Sequence, residues 1–190
     1  MNLELIVDQE FREANYQSNR LSKAEYEDCL FEGCNFSGGF LDNTNFLNCE
    51  FIDCNLSNVN VKYTVFKEVR FIRCKMMGLK FEDCNAIFLS FSLSHCNLSY
   101  ASFHKVTLKN AYFVECIFDE ADFTKADFTK TVFDQCNMKN VVFEGTNLES
   151  ADMATSFNLK IDPERNRIKK ARFSKDQLGG LLEKYDIVIT

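Results

Sequence analysis

Nine cysteines and two histidines are the residues of this chain best suited to chemistry. A structural zinc site gathers its ligands in short spacings such as C-x2-C, yet no two cysteines here stand closer than five residues. A catalytic thiol needs a base that faces it, and His95 and His104 both fall at polar, outward places of the pattern described below. The cysteines are regular instead: Cys34, Cys54 and Cys74 step by 20, and so do Cys96, Cys116 and Cys136. Regular spacing is a statement about position in a fold, and the fold has to be found before the thiols can be read.

The stretch "ADFTKADFTKTVFDQCNMKNVVFEGTNLESADM" carries a large apolar residue at every fifth place: Phe123, Phe128, Phe133, Met138, Phe143, Leu148 and Met153. A period of five suits neither an α-helix, which repeats every 3.6 residues, nor a β-strand, which alternates every two. Stepping back from Met153, this register holds to Phe88, and a second runs from Phe11 through Tyr16, Leu21, Tyr26, Phe31 and Phe36 to Phe81. Two residues before each centre the side chain is usually small, and all nine cysteines, including Cys29, Cys49 and Cys84, occupy that place. Buried cysteine packs as a small hydrophobe, so the thiols read as packing residues.

A thiol column that repeats after 20 residues implies a coil that closes after four five-residue units. Stacked coils of this kind bury jointly a core that none could bury alone. The expected fold is all-β: a right-handed quadrilateral parallel β-helix of about seven coils, each rising about 4.8 Å, with large centres inside and the remaining residues toward water. The step from Cys74 to Cys96 is 22, and Phe91 falls at a small place. A kink or bulge is therefore expected near 84–91, either a tolerated insertion or an elbow between two half-domains. Residues 1–10 read as an N-terminal cap, 11–157 as the β-helix, and 158–190 as a final coil, helix and tail. In that tail Ser174 and Gln177 have capping-box spacing, and Leu178, Leu181, Leu182 and Tyr185 follow helical spacing. With Ile187 and Ile189 they make an apolar surface suited to a homodimer.

Net charge is −6, which argues against nucleic-acid or anionic-membrane binding. No run of 18 apolar residues offers a membrane span. The opening MNLELIVDQEF shows no secretory pattern, so the chain reads as cytoplasmic with reduced thiols. No small-molecule substrate, cofactor, metal or catalytic residue is indicated. The face centred on Tyr26, Phe46 and Phe66 and its neighbour centred on Phe31, Phe51 and Phe71 together hold 14 acidic and 6 basic residues between Glu10 and Met153, against 7 and 8 on the other two faces. The candidate partner-binding residues are Glu25, Asp28, Glu32, Glu50, Asp53, Glu68, Glu115, Asp127, Asp134, Glu149 and Asp152. Solubility alone calls for outward acids, but not for their concentration on one edge.

"ADFTKADFTK" resembles the motif of the pentapeptide-repeat family, and the likeness extends from Phe11 to Met153. Within it, "FSLSHCNLSYASF", "IDPERNRIKKARF" and "LGGLLEKYDIVIT" are similar to segments of the quinolone-resistance (Qnr-like) and microcin-immunity branch. The resemblance implies a quadrilateral β-helix, a homodimer joined through the tail, and a DNA mimic that protects DNA gyrase or topoisomerase IV from a fluoroquinolone or a peptide toxin. The alternative is a structural or regulatory scaffold that binds another protein. The chain departs from some members of the branch in lacking long loops between coils.

Overall fold

The computed structural model describes residues 3–188. Its architecture follows from one backbone device repeated every five residues. Two places after most apolar centres the chain turns left-handed: φ is 56° at Asn43, 55° at Asp53, 57° at Lys125 and 64° at Gly38. Glycine, asparagine and aspartate tolerate this region best, but Tyr63, Lys105 and Lys130 adopt it too. Each left-handed residue makes a corner, and four corners bring the chain back over itself after 20 residues. Parallel pairing then joins successive coils: Tyr26 sits opposite Phe46 and Phe46 opposite Phe66, while Phe31, Phe51 and Phe71 form the next column. Amides donate alternately to the coil after and the coil before, as in Phe123 N to Val142 O (2.9 Å) and Asp122 N to Ala101 O (2.9 Å). The result is a parallel β-solenoid of about seven turns with a short C-terminal helix.

Corners come in two kinds. At a closed corner the amide three residues past the centre donates back to the centre's carbonyl, as from Ala121 to Phe118 (2.9 Å) and from Ala126 to Phe123 (3.0 Å). This bond, with a left-handed third residue, is the geometry of a type II turn. At the corners following Phe31, Phe51, Phe71, Leu93, Phe113 and Phe133 no such bond forms, and the residue three past the centre is a cysteine. The thiol instead donates to the centre carbonyl of the preceding coil: Cys54 Sγ to Phe31 O and Cys74 Sγ to Phe51 O, both 3.3 Å. Hydroxyls do the same elsewhere, Thr64 to Leu41 O and Ser156 to Phe133 O, both at 2.8 Å. The thiols are thus more than small hydrophobes: every one but Cys84 also supplies a weak donor to a backbone carbonyl.

The core is one continuous column in which Phe31, Phe46, Phe51, Phe113, Phe123, Phe128 and Phe133 have no exposed surface. At about 1.5–3 kcal/mol for each fully buried large side chain, this column dominates the stability of the rod. All nine cysteines are free and buried.

The irregularity expected near 84–91 is present. Strand pairing shifts register between Lys67–Ser90 and Val69–Phe91, and two short 3-10 turns, Phe81–Asp83 and Ala86–Phe88, take up the additional residues. One expectation is corrected here. Phe88 falls at a centre in the sequence register but is half exposed, and Ile87 beside it is 83% exposed. Phe91 turns inward in its stead and stacks on Phe81 at 5.0 Å. Two extra residues push the 86–88 turn outward, and the nearest ring able to fill the void is the one at the small place.

At the N-terminal end Glu4–Val7 and Glu10–Arg12 pair in register with the second coil. The stretch read as a cap is itself part of a coil, with Ile6 and Phe11 packed partly buried against the core. At the other end Asn158 turns left-handed at a place where a centre would fall, and Leu159 and Ile161 go inward. The coil is resumed where Asn147 pairs with Arg167 and continues where Asp152 pairs with Arg172. Ser174 N then donates to Gln177 Oε1 (3.1 Å), ahead of the helix Leu178–Leu182. Gly180 presses against the Leu159 carbonyl, where a Cβ would collide, and its own carbonyl accepts from Ile161 N at 3.1 Å. Gly180, poor for an isolated helix, is what lets this one lie flat on the last coil.

Candidate partner-binding faces

A rigid β-coil places outward side chains in columns, one coil apart, so a residue's neighbours are those about 20 away. That rule decides what the acidic residues can do. Of the eleven acids read from the sequence, seven face a basic side chain. Arg12 lies on Glu32 and Arg70 on Glu50. Arg73 grips Asp53 with two bonds of 2.8 and 2.7 Å. His95 meets Glu115 at 3.2 Å, Lys109 meets Asp127 at 3.2 Å, Arg167 meets Glu149 at 3.5 Å and Arg172 meets Asp152 at 2.5 Å. The Arg73 guanidinium holds the Asp53 carboxyl below the usual carboxylate range. Burial pushes the Asp127 carboxyl up, but bonds from the Thr129 hydroxyl and amide and from Lys109 outweigh it and leave it lowered.

The other four have no ion-pair partner among the described residues. Glu25 accepts from Asn45 Nδ2 at 3.0 Å and Asp28 from the Asn48 amide. Asp134 accepts from Thr155 Oγ1 at 2.8 Å, and Glu68 stands at an exposed corner. Sequence reasoning missed the arginines that cover the rest. The signal was available: Arg12/Glu32, Glu50/Arg70, Asp53/Arg73 and Asp152/Arg172 are opposite charges 20 residues apart.

Charge is also uneven along the rod. Residues 1–61 hold eleven acidic and three basic side chains, and residues 62–190 hold seventeen and nineteen. The excess of negative charge therefore sits in the first coils.

In the tail, Leu178, Tyr185 and Ile187 are exposed, while Leu182 is half-buried. Leu181 packs against the core. Ile189 lies outside the described residues. Lys184 ties the tail to Asp162 and Glu164 at 2.8 and 2.6 Å, and Tyr185 Oη donates to Glu164 at 2.8 Å.

Among the described residues no group of three or more His, Cys, Asp and Glu is placed to hold a metal ion, and no helix is long and apolar enough to cross a membrane. A cavity of about 250 Å³ at the register slip brings Cys84 and His104 to one wall, with Phe81, Leu89 and Lys105. Burial, then Asp83 and Glu82, push the Cys84 thiol up, the reverse of what a thiolate nucleophile requires.

Three models of one repeat family match the chain: a pentapeptide repeat region over residues 24–93, nine pentapeptide repeats over 93–133 and eight over 116–153. Among curated proteins none matches the sequence significantly. Among solved structures the chain is similar to QnrB1, a plasmid-mediated fluoroquinolone resistance protein. The full-length form superimposes with a TM-score of 0.64 at 20% identity, covering 96% of this chain and 100% of that one. A trypsin-treated variant gives 0.65 at 21% identity, covering 98% and 100%. HetL, a pentapeptide-repeat protein involved in heterocyst differentiation regulation in Nostoc sp. strain PCC 7120, gives 0.43 at 12% identity, covering 90% and 88%.

Proposed function

Because the chain belongs to the pentapeptide-repeat family, we propose that it is a non-catalytic binding protein of the cytoplasm that docks on bacterial DNA gyrase or topoisomerase IV in place of duplex DNA. It thereby protects the enzyme from a fluoroquinolone or a peptide toxin. The observation that carries this reading is the set of carboxylates without a base among the described residues, Glu25, Asp28, Glu68 and Asp134, on rigid outward columns of the faces centred on Tyr26 and Phe31. Lysines and arginines arranged for phosphates accept carboxylates through the same charge-assisted bonds. The similarity to a fluoroquinolone resistance protein in fold and the tail segments noted above support the same reading. The exposed Leu178, Tyr185 and Ile187 join two copies through their tails.

The test is a gyrase supercoiling assay under ciprofloxacin. The protein is expected to restore supercoiling in proportion to dose. Reversing Glu25 and Asp28 together to lysine raises the half-effective concentration about tenfold or more, because rim charges set encounter and complementarity. Glu50→Lys with Asp134→Lys acts in the same direction but more weakly, since Glu50 is already covered by Arg70. Absence of rescue at any dose overturns the proposal in favour of a scaffold for another protein. A monomer in sedimentation at all concentrations would remove the tail dimer.

A further inference from the structure

The face centred on Tyr26, Phe46 and Phe66 changes character along its length. Above the slip it carries Glu25, Glu27, Asp28 and Glu68, none ion-paired among the described residues, against one base, Lys67. Below the slip the same face continues through the column Thr107, Asp127, Asn147 and Arg167. There it presents Lys125 and Lys130 at left-handed corners, then Arg167, Lys169 and Lys170, all exposed. Of these five only Arg167 reaches a carboxylate among the described residues, at 3.5 Å; the acids of this stretch, Asp127 and Glu149, are covered by Lys109 and Arg167. Between the two charged stretches stand Ile87, 83% exposed, and half-exposed Phe88, pushed out by the slip.

An acidic stretch, an apolar knuckle and a basic stretch in line on one flat face are self-complementary about a twofold axis. We propose that a second copy of this chain packs antiparallel on this face. Arg167, Lys169 and Lys170 of each copy then meet Glu25, Glu27 and Asp28 of the other. With the axis half a coil below the slip, Lys125 and Lys130 fall against Glu68, and Lys105 and Lys109 fall against Asp83 beside the Ile87–Phe88 knuckle. Both clusters recur twice, once at each end of the contact, so each favourable pairing counts double. The strip from the Tyr26 coil to the Ile168 coil spans seven steps of about 4.8 Å. That is at the small end of specific interfaces, so the association is of micromolar strength and weakens with salt. It is distinct from the apolar tail contact, which salt does not weaken, and it covers the acids proposed to face a topoisomerase, so self-association and that partner compete.

Sedimentation velocity of the full chain at about 20 and 500 mM NaCl separates the two contacts. The expected result is a step in mass, above whatever the tail produces, that appears at low salt and is lost at high salt. Glu25→Lys with Glu27→Lys removes the step, and so does Lys169→Glu with Lys170→Glu. An equimolar mixture of these two variants restores it, because each reversed end then meets an end of opposite charge on the other copy. Ile87→Asp, at an exposed turn that folding does not need, weakens the step about tenfold. No salt-sensitive step in the wild type, or failure of the mixture to restore one, overturns the proposal. A mass change produced only by an added oligonucleotide also overturns it, in favour of an anionic partner for the basic stretch. Gyrase protection is read separately, so either proposal can fail alone.

Discussion

The coils before the register slip and those after it use one fold and two kinds of packing. Before the slip, rings one coil apart lie face to face: Phe11 on Phe31 at 4.7 Å and 8°, Phe31 on Phe51 at 4.7 Å and 9°, Tyr26 on Phe46 at 5.4 Å and 16°. After it, rings so related are tilted or edge-on: Phe113 with Phe133 at 59°, Phe103 with Phe123 at 86°, Phe123 with Phe143 at 89°. The first half has strands on two adjacent faces, as in Ala24–Glu27 with Leu30–Glu32 and Asn45–Leu47 with Glu50–Ile52. The second has them on one face, Tyr112–Val114 and Val132–Asp134, with closed corners at Phe118, Phe123 and Phe128. Five thiols lie before Cys84 and three after it. Away from the slip, cysteine three places past a centre accompanies a corner without a turn bond, and Ala121, Ala126 and Thr131 accompany corners tightened by one; ring orientation does not follow that residue, since Phe113 and Phe133 tilt although Cys116 and Cys136 follow them. Leu93 then interrupts the column from Phe71 to Phe113, so stacking does not propagate across the slip on that face.

The largest expected effect that separates the halves is alkaline destabilisation. Burial pushes the Cys49 thiol up to about 12 and also raises Cys29. An unfolded thiol ionises near pH 8.5. The folded pKa is above the unfolded one, so the unfolded state sheds protons first and stability falls as pH rises from about 8.5 to about 12. The slope approaches about 1.4 kcal/mol per pH unit for each such thiol. Urea midpoints at pH 7, 9 and 10 measure it. Amide exchange should show the thiol-rich coils before the slip losing protection first; a uniform loss would mean the halves unfold as one unit.

Next in size is ring removal. Phe51 stacks on Phe31 at 4.7 Å and on Phe71 at 5.1 Å, and Phe51→Ala should cost about 3–5 kcal/mol as a large-to-small core change. Phe133→Ala is the matched change below the slip, where the ring is tilted. Phe51→Ala is expected to cost more, by on the order of 1 kcal/mol, if stacked pairs contribute as aromatic pairs do elsewhere. Equal urea midpoints for the two variants would make ring orientation a by-product of spacing rather than a source of stability.

Much of this was legible in the sequence, and the illegible parts have identifiable causes. The period of five, the thiol column from Cys34 to Cys136 and the slip after Cys84 could be read because packing in a coil admits few residue types at the centre and at the small place. The corners could not, because the left-handed residue is Asn43 or Gly38 in one coil and Tyr63, Glu68 or Lys125 in another; at an exposed corner the fold overrides preference. The exchange of Phe88 for Phe91 was hidden for a different reason: periodicity assigns an inserted residue to a register, whereas packing assigns a ring to whichever void it can reach. The ion pairs are hidden in any sum over a face, because each is a match between one acid and the one base a single coil away, as Asp53 with Arg73.

A smaller effect tests the role of the thiol at corners without a turn bond. Cys54→Ala removes the donor to Phe31 O and should cost about 1 kcal/mol, while Cys54→Ser keeps a donor, as Ser156 does toward Phe133 O, and should cost less. If alanine is the better tolerated of the two in thermal melts, the thiol serves by volume alone.

The smallest stability effect concerns the arginines that cover the acids. The Asp53–Arg73 pair is about half exposed on both sides, and exposed pairs contribute about 0–1 kcal/mol. Arg73→Ala should therefore barely move the urea midpoint. Arg73 lowers the pKa of Asp53, so what little stability the pair adds is present at neutral pH and lost as pH falls through the folded pKa. The same substitution bares Asp53 beside the acidic coils, where it should strengthen binding to a basic partner. Arg172→Ala bares Asp152 at the other end of the same face, far from the excess of negative charge, and should strengthen it less. A variant that binds more tightly while folding no better would show that these arginines set how much of the acidic edge a partner meets. Equal gains at Arg73 and Arg172 would show instead that the partner responds to net charge and not to the first coils.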